Sequence, residues 1–427
     1  MIVAAAVRGL ALIHGAGVVA LWGDENYYTS QGASIAAGLG YPGSFRPPLY
    51  PLLIGTVFAV FGHSLLVLRL VQIAISLAAV VLVHEICRER FGVRAALWSA
   101  LACALSPRLA HFTHLLWAET LFVTLFLLFV WLLHRFEDAG GIFALVGAAV
   151  TLALAALTKE MVVFYAFLLL PWFAAHAKWD WRRGIGRAAL FLGCFVLVLT
   201  PWIIRNWSVN DTFVGLSNCR WFPIAMGNLR AEDLTQDSTK RLEFQRRWQG
   251  MTDEVEREAL SRTVALESIR SQQPWWLPRK VQLNLSRLLS PKSQELRLIE
   301  RGLYPPEFSS VARRTHLLLS LAGHLLLLTP GLMALWLVRG DGLKWPLVTM
   351  IGYCLFVYTV ANATPRFLVS LLPLFYLYIG PLVARVSIGT ERWRWAAALG
   401  TAVIFLAIIL SQVPVELGPL WNELGQR

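Results

Sequence analysis

The chain has 427 residues, 57% of them hydrophobic and 15% charged, against roughly 25% charged residues in soluble domains. That shortfall, with the repeated long apolar runs, excludes a pair of soluble domains and indicates an all-α polytopic membrane protein. The formal charge of +12, from 38 Lys and Arg against 26 Asp and Glu, falls in short clusters between apolar runs, which fits the orienting of membrane segments and not nucleic-acid binding.

A membrane helix needs about 20 apolar residues. Spans are predicted at 2–22, 65–87, 93–107, 115–134, 141–157, 161–176, 187–206, 315–338, 344–361, 366–386 and 395–414, about 11 transmembrane helices in all. The first run, IVAAAVRGLALIHGAGVVALWG, lacks a convincing A-x-A cleavage site and reads as a retained helix, not a signal peptide. RERFGVR, KWDWRRGIGR, VRGDGLK and the ERWR region fall on one side, which the positive-inside rule makes cytoplasmic. PPLYPLLIGTVFAVFG would invert this scheme if it crossed the membrane. From Leu49 to Phe61 it is short for a crossing, so it is predicted as an interfacial helix on the outer leaflet, paired with another at 25–38. The first loop, 22–64, is then external, and a residue such as Ser44 is expected to be accessible from outside.

The sizeable polar region, 207–314, falls on the same external side and is expected to be mainly helical. In DEVEREALSRTVALESIR, apolar residues at Val255, Leu260, Val264, Leu266 and Ile269 suit an amphipathic helix. The chain thus divides into 1–206, the external region 207–314 and C-terminal spans in 315–427. The five cysteines, Cys87, Cys103, Cys194, Cys219 and Cys354, are odd in number and give neither a disulfide framework nor a zinc spacing. There is no internal repeat or inverted pair of interrupted helices of the transporter type.

Charged residues then cluster on the external side. Asp24-Glu25 is either a first-turn acidic pair favoured by the helix dipole or a carboxylate placed to take a proton from an attacking hydroxyl or amine. Two adjacent carboxylates point apart, so one of them is expected to face a reaction centre. Arg46 precedes two prolines that fix an extended turn. A guanidinium held there suits a phosphate oxygen, or it snorkels at the interface. Glu119 stands at the start of an apolar helix, where an unpaired charge is costly. Lys159 and Glu160 either pair with each other, or Lys159 faces a lipid phosphate that Glu160 helps it meet. Arg205 and Arg366 add two more cations, the arrangement expected around a phosphate headgroup. GLGYPG matches G-x-G-x-x-G but lacks a preceding strand and contains a proline, so it makes turns. His111 and His114 form H-x-x-H without a third ligand, so no metal site is assigned.

Taken in order, GDENYYTSQGASIAAGLGYPGSFRPPLYPLLIG, LRLVQIAISLAAVV, AETLF, LTKE, TPWIIRNW and PRFLVSLLPLFYL resemble the GT-C membrane glycosyltransferases. The resemblance is to the branch of dolichyl-phosphate-mannose protein mannosyltransferases and RgtA/B/C/D-like proteins, which includes the aminoarabinose transferases of lipid A. It covers roughly 1–206 and, more weakly, 315–386. The resemblance implies an inverting transfer of a sugar from a polyprenyl-phosphate donor to a lipid, glycan or protein acceptor, on the external face of the membrane; with no retention or transit signal visible, a prokaryotic plasma membrane is expected. It also implies that Asp24 is the catalytic acid/base, with Glu25 completing the acidic pair. Arg46, Lys159, Arg205 and Arg366 would meet the donor phosphate, with Glu119 as a second acidic contact to sugar or acceptor, while Glu160 is a substrate-binding candidate through its orienting of Lys159. Many relatives have Arg-Pro where this chain has Lys159-Glu160. Some relatives use a divalent cation and others do not, so no cofactor is assigned. The alternative from another class is a transporter or flippase of lipid-linked saccharides.

Overall fold

Inside a bilayer the backbone has no water to bond, so apolar runs fold as helices that satisfy their own N–H and C=O groups. The computed structural model describes residues 1–15, 21–177, 180–232, 239–303, 309–340 and 342–412. Among these residues the β-structure is an isolated bridge between Val338 and Ile388. The first part contains α1 (Ile2–Gly15), α2 (Asp24–Ala36), α3 (Leu49–Phe61), α4 (Leu65–Phe91), α5 (Val93–Leu105), α6 (Pro107–His111), α7 (Glu119–Ala139) and α8 (Ile142–Ala156). A 3-10 turn (Glu160–Val162), α9 (Tyr165–Leu168), α10 (Leu170–His176) and α11 (Trp181–Asn210) follow. A block of shorter helices comes next: α12 (Trp221–Glu232), α13 (Thr239–Gly250), α14 (Glu254–Ser271), α15 (Trp276–Leu288) and α16 (Gln294–Glu300). The last part is α17 (Ser309–Gly323), a π-helical turn (His324–Leu328), α18 (Thr329–Leu337), α19 (Lys344–Val360), a 3-10 helix (Pro365–Ser370), α20 (Leu372–Val383) and α21 (Arg392–Gln412).

Helices over Leu65–Phe91, Glu119–Ala139, Trp181–Asn210, Arg314–Leu337 and Arg392–Ser411 are long and apolar enough to cross a membrane, and shorter apolar helices fill in between them. The chain is a multi-pass membrane protein. The 27 residues of α4, at about 1.5 Å each, exceed a hydrocarbon core of roughly 30 Å. Its start is capped by the Ser64 hydroxyl, which accepts from Val67 N, and its last turn carries Arg88 and Arg90, where the helix dipole favours cations.

The expected span 2–22 is helical over Ile2–Gly15, and its residues 16–20 lie outside the described ones; two further spans are interrupted. The run 161–176 is a 3-10 turn and two short helices, because Pro171 in the first turn of α10 has no N–H with which to continue the ladder from α9. The run 366–386 begins as the 3-10 helix Pro365–Ser370 and becomes α-helical at Leu372.

Small residues bring helix backbones together. On α20, a Cβ at Gly380 would fall 1.9 Å from the Ala95 carbonyl oxygen. The Ser99 hydroxyl beside it accepts from Gly380 N at 3.0 Å and donates to Leu377 O at 3.1 Å. Gly380→Val is therefore expected to separate α5 from α20 and lower the thermal midpoint by more than 10 °C, or prevent recovery of monodisperse protein. An unchanged midpoint would refute this close contact. Arg8 on α1 is fully buried, and its charge is met by Ser76 Oγ at 2.8 Å and by the Ala4 and Ala104 carbonyls, both at 3.2 Å.

The helices α2 and α3 pack as the expected pair. At their crossing a Cβ on Gly32 would lie 2.3 Å from Ile54 Cγ2, and one on Gly55 2.6 Å from Ile35 Cγ2. Tyr50 OH donates to Gln72 Oε1 at 2.8 Å, and Gln72 Nε2 donates to the Thr113 and Leu115 carbonyls. This buried chain ties α3 and α4 to the turn before α7. At the opposite end of α4 and α7, Arg90 is paired with Glu137, and Arg135 with Glu89 at 2.7 Å.

The block between α11 and α17 has its own small core of Ala225, Met226, Leu229, Phe244 and Ala265. α14 forms where the sequence places an amphipathic helix, with Asp253 capping Val255 N and Glu256 N. Its buried stripe is not the expected one: Glu258, Ser261, Ala265 and Ser268 are buried, while Val255, Leu260, Val264, Leu266 and Ile269 are half-buried beside them. Small residues on the stripe admit α12 closely, so the bulky apolar side chains pack at its margins.

Candidate active site

Gly23, with φ +61°, turns the chain sharply into α2, a backbone conformation that glycine adopts without steric cost. Asp24 and Glu25 are the first two residues of that helix, about 100° apart around its axis, and they diverge. Glu25 turns inward. Its carboxylate accepts from Trp22 N at 3.1 Å and Leu116 N at 2.8 Å, satisfying a backbone donor before its own helix and pinning the turn that leads to α7. Burial raises the Glu25 carboxyl above its ordinary value, and those two backbone donors offset part of the rise.

Asp24 turns toward the cations. Its Oδ1 lies 3.0 Å from Arg46 and its Oδ2 2.9 Å from Arg366. The second carboxylate, Glu119, begins α7 and is met by Lys159 at 2.8 Å and, more distantly, by Arg366 Nε at 3.9 Å. Arg366 thus bridges the two acids. Its guanidinium stacks over Trp117 at 4.7 Å and Phe367 at 5.0 Å, and Lys159 lies 5.8 Å from the Phe122 ring and 5.6 Å from that of Phe367. Two carboxylates against three cations leave one formal positive charge. The side chains of Asp24 and Arg46 remain 23% and 24% exposed, so the cluster is open to a ligand on that side.

For Asp24, burial alone raises the pKa, but the guanidiniums of Arg46 and Arg366 outweigh it and hold the carboxyl well below the usual range. The ion pairs therefore stabilise the fold above the ordinary carboxylate value and are lost only as pH falls through the depressed one. Burial lowers the ammonium of Lys159 below its ordinary value, and the charge of Glu119 offsets part of the fall.

Asp24, Arg46, Glu119, Lys159 and Arg366 thus meet in one network, drawn from five separate stretches of chain. Glu160, adjacent to Lys159, points away and accepts from Ser217 Oγ at 2.6 Å. Arg205 donates to Gly43 O at 2.8 Å and to Tyr41 O, and its guanidinium stacks on Trp202 and Tyr41. His111 and His114 are buried with ring centroids 4.5 Å apart. Ser44, expected to be open to the outside, is buried beneath Glu254 and Asn218. Sequence reasoning missed Trp117, whose position two residues before Glu119 was its only signal.

Residues 45–204 match the family model for dolichyl-phosphate-mannose-protein mannosyltransferases, a stretch that contains Arg46, Glu119 and Lys159. No curated protein matches the chain. The crystal structure of ArnT from Cupriavidus metallidurans bound to undecaprenyl phosphate is 15% identical, superposes with a TM-score of 0.55, and is matched over 97% of this chain and 64% of that one. The apo state of ArnT from Cupriavidus metallidurans gives a TM-score of 0.38 at 15% identity, over 88% of this chain and 75% of that one. The present chain spans 64% of the length of the undecaprenyl-phosphate-bound ArnT. At this identity the likeness shows the fold, which is the all-helical polytopic GT-C type.

Proposed function

We propose that this membrane protein is a glycosyltransferase that moves a sugar from a polyprenyl-phosphate donor to a lipid, glycan or protein acceptor on the external face of the plasma membrane. The observation that supports this best is the position of Asp24, between two guanidiniums in a partly exposed cluster with one excess positive charge. The α2–α3 pair lies beneath the donor as an interfacial floor. The Asp24 carboxylate takes the proton of the acceptor O–H or N–H while the acceptor atom bonds to the anomeric carbon. Attack comes from the face opposite the phosphate, so the configuration inverts. The anomeric C–O bond breaks with its electron pair going to the polyprenyl phosphate, whose growing charge is met by Arg46, Arg366 and Lys159. With its two oxygens held by arginines, Asp24 is a weak base. A donor phosphate that engages those arginines loosens their hold and raises the proton affinity of Asp24 as the acceptor arrives.

Purified protein incubated with a panel of radiolabelled polyprenyl-phosphate sugars tests this reading. Transfer of label to an acceptor supports it. Movement of intact donor across liposomes without any transfer overturns it in favour of a flippase.

The depressed pKa of Lys159 makes a separate prediction. Its charge is lost as pH rises, at a value below the ordinary lysine one. Transfer is expected to fall along an alkaline limb that begins below the ordinary lysine range, and Lys159→Arg should remove that limb. A limb that persists unchanged in the variant assigns it to another group.

A further inference from the structure

The loop that carries Arg46 has no regular secondary structure between Leu39 and Ser44, so its aim depends on what holds it. Ser44, two residues before Arg46, is 1% exposed. Its backbone N–H donates to Glu254 Oε2 at 2.8 Å, and its hydroxyl donates to the same oxygen at 2.7 Å. The hydroxyl accepts from Asn218 Nδ2 at 2.6 Å and lies 3.2 Å from Asn210 Oδ1. The Ser44 carbonyl accepts from Asn218 N at 2.8 Å. Every polar group of this residue is therefore engaged by the end of α11, by the connection from α11 to α12 or by α14.

The flanking residues are held by the same elements. Gly43 O and Tyr41 O accept from Arg205, and Tyr41 OH donates to Arg46 O at 2.8 Å. The Phe45 ring packs on Trp248 of α13 at 5.5 Å, and the Arg46 guanidinium lies over Phe45 at 5.0 Å. A Cβ at Gly43 would lie 2.8 Å from Glu254 Oε1, so the carboxylate comes close against the loop here. From Glu254 the chain of contacts runs through Ser44 and Phe45 to Arg46, and from there to Asp24 at 3.0 Å.

We infer that Glu254 is a positioning residue, through which the helical block fixes the aim of Arg46 at Asp24. This rests on the transferase reading for its effect on catalysis, but the clamp itself is a property of the fold. A carboxylate suits the role because one oxygen can accept from both donors of Ser44, and removing it leaves the N–H buried without an acceptor and the hydroxyl with Asn210 Oδ1 at 3.2 Å. The loop then shifts to find partners. A displacement of about 1 Å in a group that aligns the reacting atoms costs on the order of 10²-fold in rate.

The test compares wild type, Glu254→Ala, Glu254→Gln and Ser44→Ala as full-length purified proteins. Hydrogen exchange is read at the amides of residues 43–46, together with kcat and donor KM per folded molecule and the thermal midpoint. Glu254→Ala is expected to speed exchange in 43–46 and to lower kcat by roughly 10- to 100-fold with a smaller change in donor KM. Glu254→Gln, which keeps one acceptor oxygen, should recover kcat to within a few fold. Ser44→Ala retains the N–H bond to Glu254, gives an intermediate effect and serves if Glu254→Ala fails to fold. Exchange in 43–46 that matches wild type in these variants would overturn the clamp. Faster exchange with unchanged kcat would reduce Glu254 to a structural contact. A wild-type protein that transfers no sugar sinks the transferase reading, while the exchange arm still decides the clamp.

Discussion

Asp24→Asn is expected to lower kcat for sugar transfer by roughly 10²- to 10⁴-fold, the range for loss of a positioned general base, while the protein still folds. The amide nearly keeps the size of the carboxylate, so the packing at the start of α2 is retained. What disappears is the charge that Arg46 and Arg366 share at 3.0 and 2.9 Å. Losing it raises the excess positive charge of the cluster from one to two, which favours an anionic donor. Affinity for polyprenyl phosphate should therefore hold or rise while turnover collapses. Parallel measurements of turnover and of binding by tryptophan fluorescence check this. Substantial transfer by Asp24→Asn would remove Asp24 from the chemistry, and weakened phosphate binding would show that the substitution had damaged the site as a whole.

Arg366→Ala is expected to lower kcat by roughly 10²- to 10³-fold, the scale for loss of one group that stabilises transition-state charge. Arg366 meets both acids of the cluster, Asp24 at 2.9 Å and Glu119 at 3.9 Å, and stacks on Trp117 and Phe367. Its removal leaves Glu119 with Lys159 and Asp24 with Arg46, so the two halves of the network come apart. Arg366→Lys should restore little, because a single ammonium cannot reach two carboxylates and stack as a planar guanidinium does. Steady-state kinetics on both variants check this. Near-complete rescue by lysine would mean that only positive charge is needed at this position.

How far the sequence reaches depends on the range of the contacts involved. Hydrophobic run length is local, so the spans and the short α2–α3 pair are readable from composition. The run 161–176 was harder, because its break comes from Pro171 inside an otherwise apolar stretch. In the site, Asp24, Arg46, Glu119, Lys159 and Arg366 share a side of the membrane scheme, and that shared side was enough to group them. Glu160 and Arg205 satisfy the same criterion, yet one bonds Ser217 and the other the Tyr41 and Gly43 carbonyls. Side of membrane does not encode direction. Glu25 shows the same limit at closer range, since helical geometry separates neighbours that sequence places side by side. The contact between Ser44 and Glu254 spans 210 positions, and neither residue carries a motif. The buried stripe of α14 escaped for a related reason: a search for bulky apolar residues overlooks an interface built from Ala265 and serines.

The pairing of Asp24 with Arg366 joins residues 342 positions apart. At a synthesis rate of roughly 5–20 residues per second, the acid is made well before its second partner, by tens of seconds at the slower rates. Until then Arg46 is the one of these two arginines present in the nascent chain, and Arg366 arrives with the 3-10 helix Pro365–Ser370. A ribosome that stalls before Pro365 therefore leaves a product without one of the three cations. Chains that terminate before Pro365, even when inserted in the membrane, are thus left without the full charge cluster.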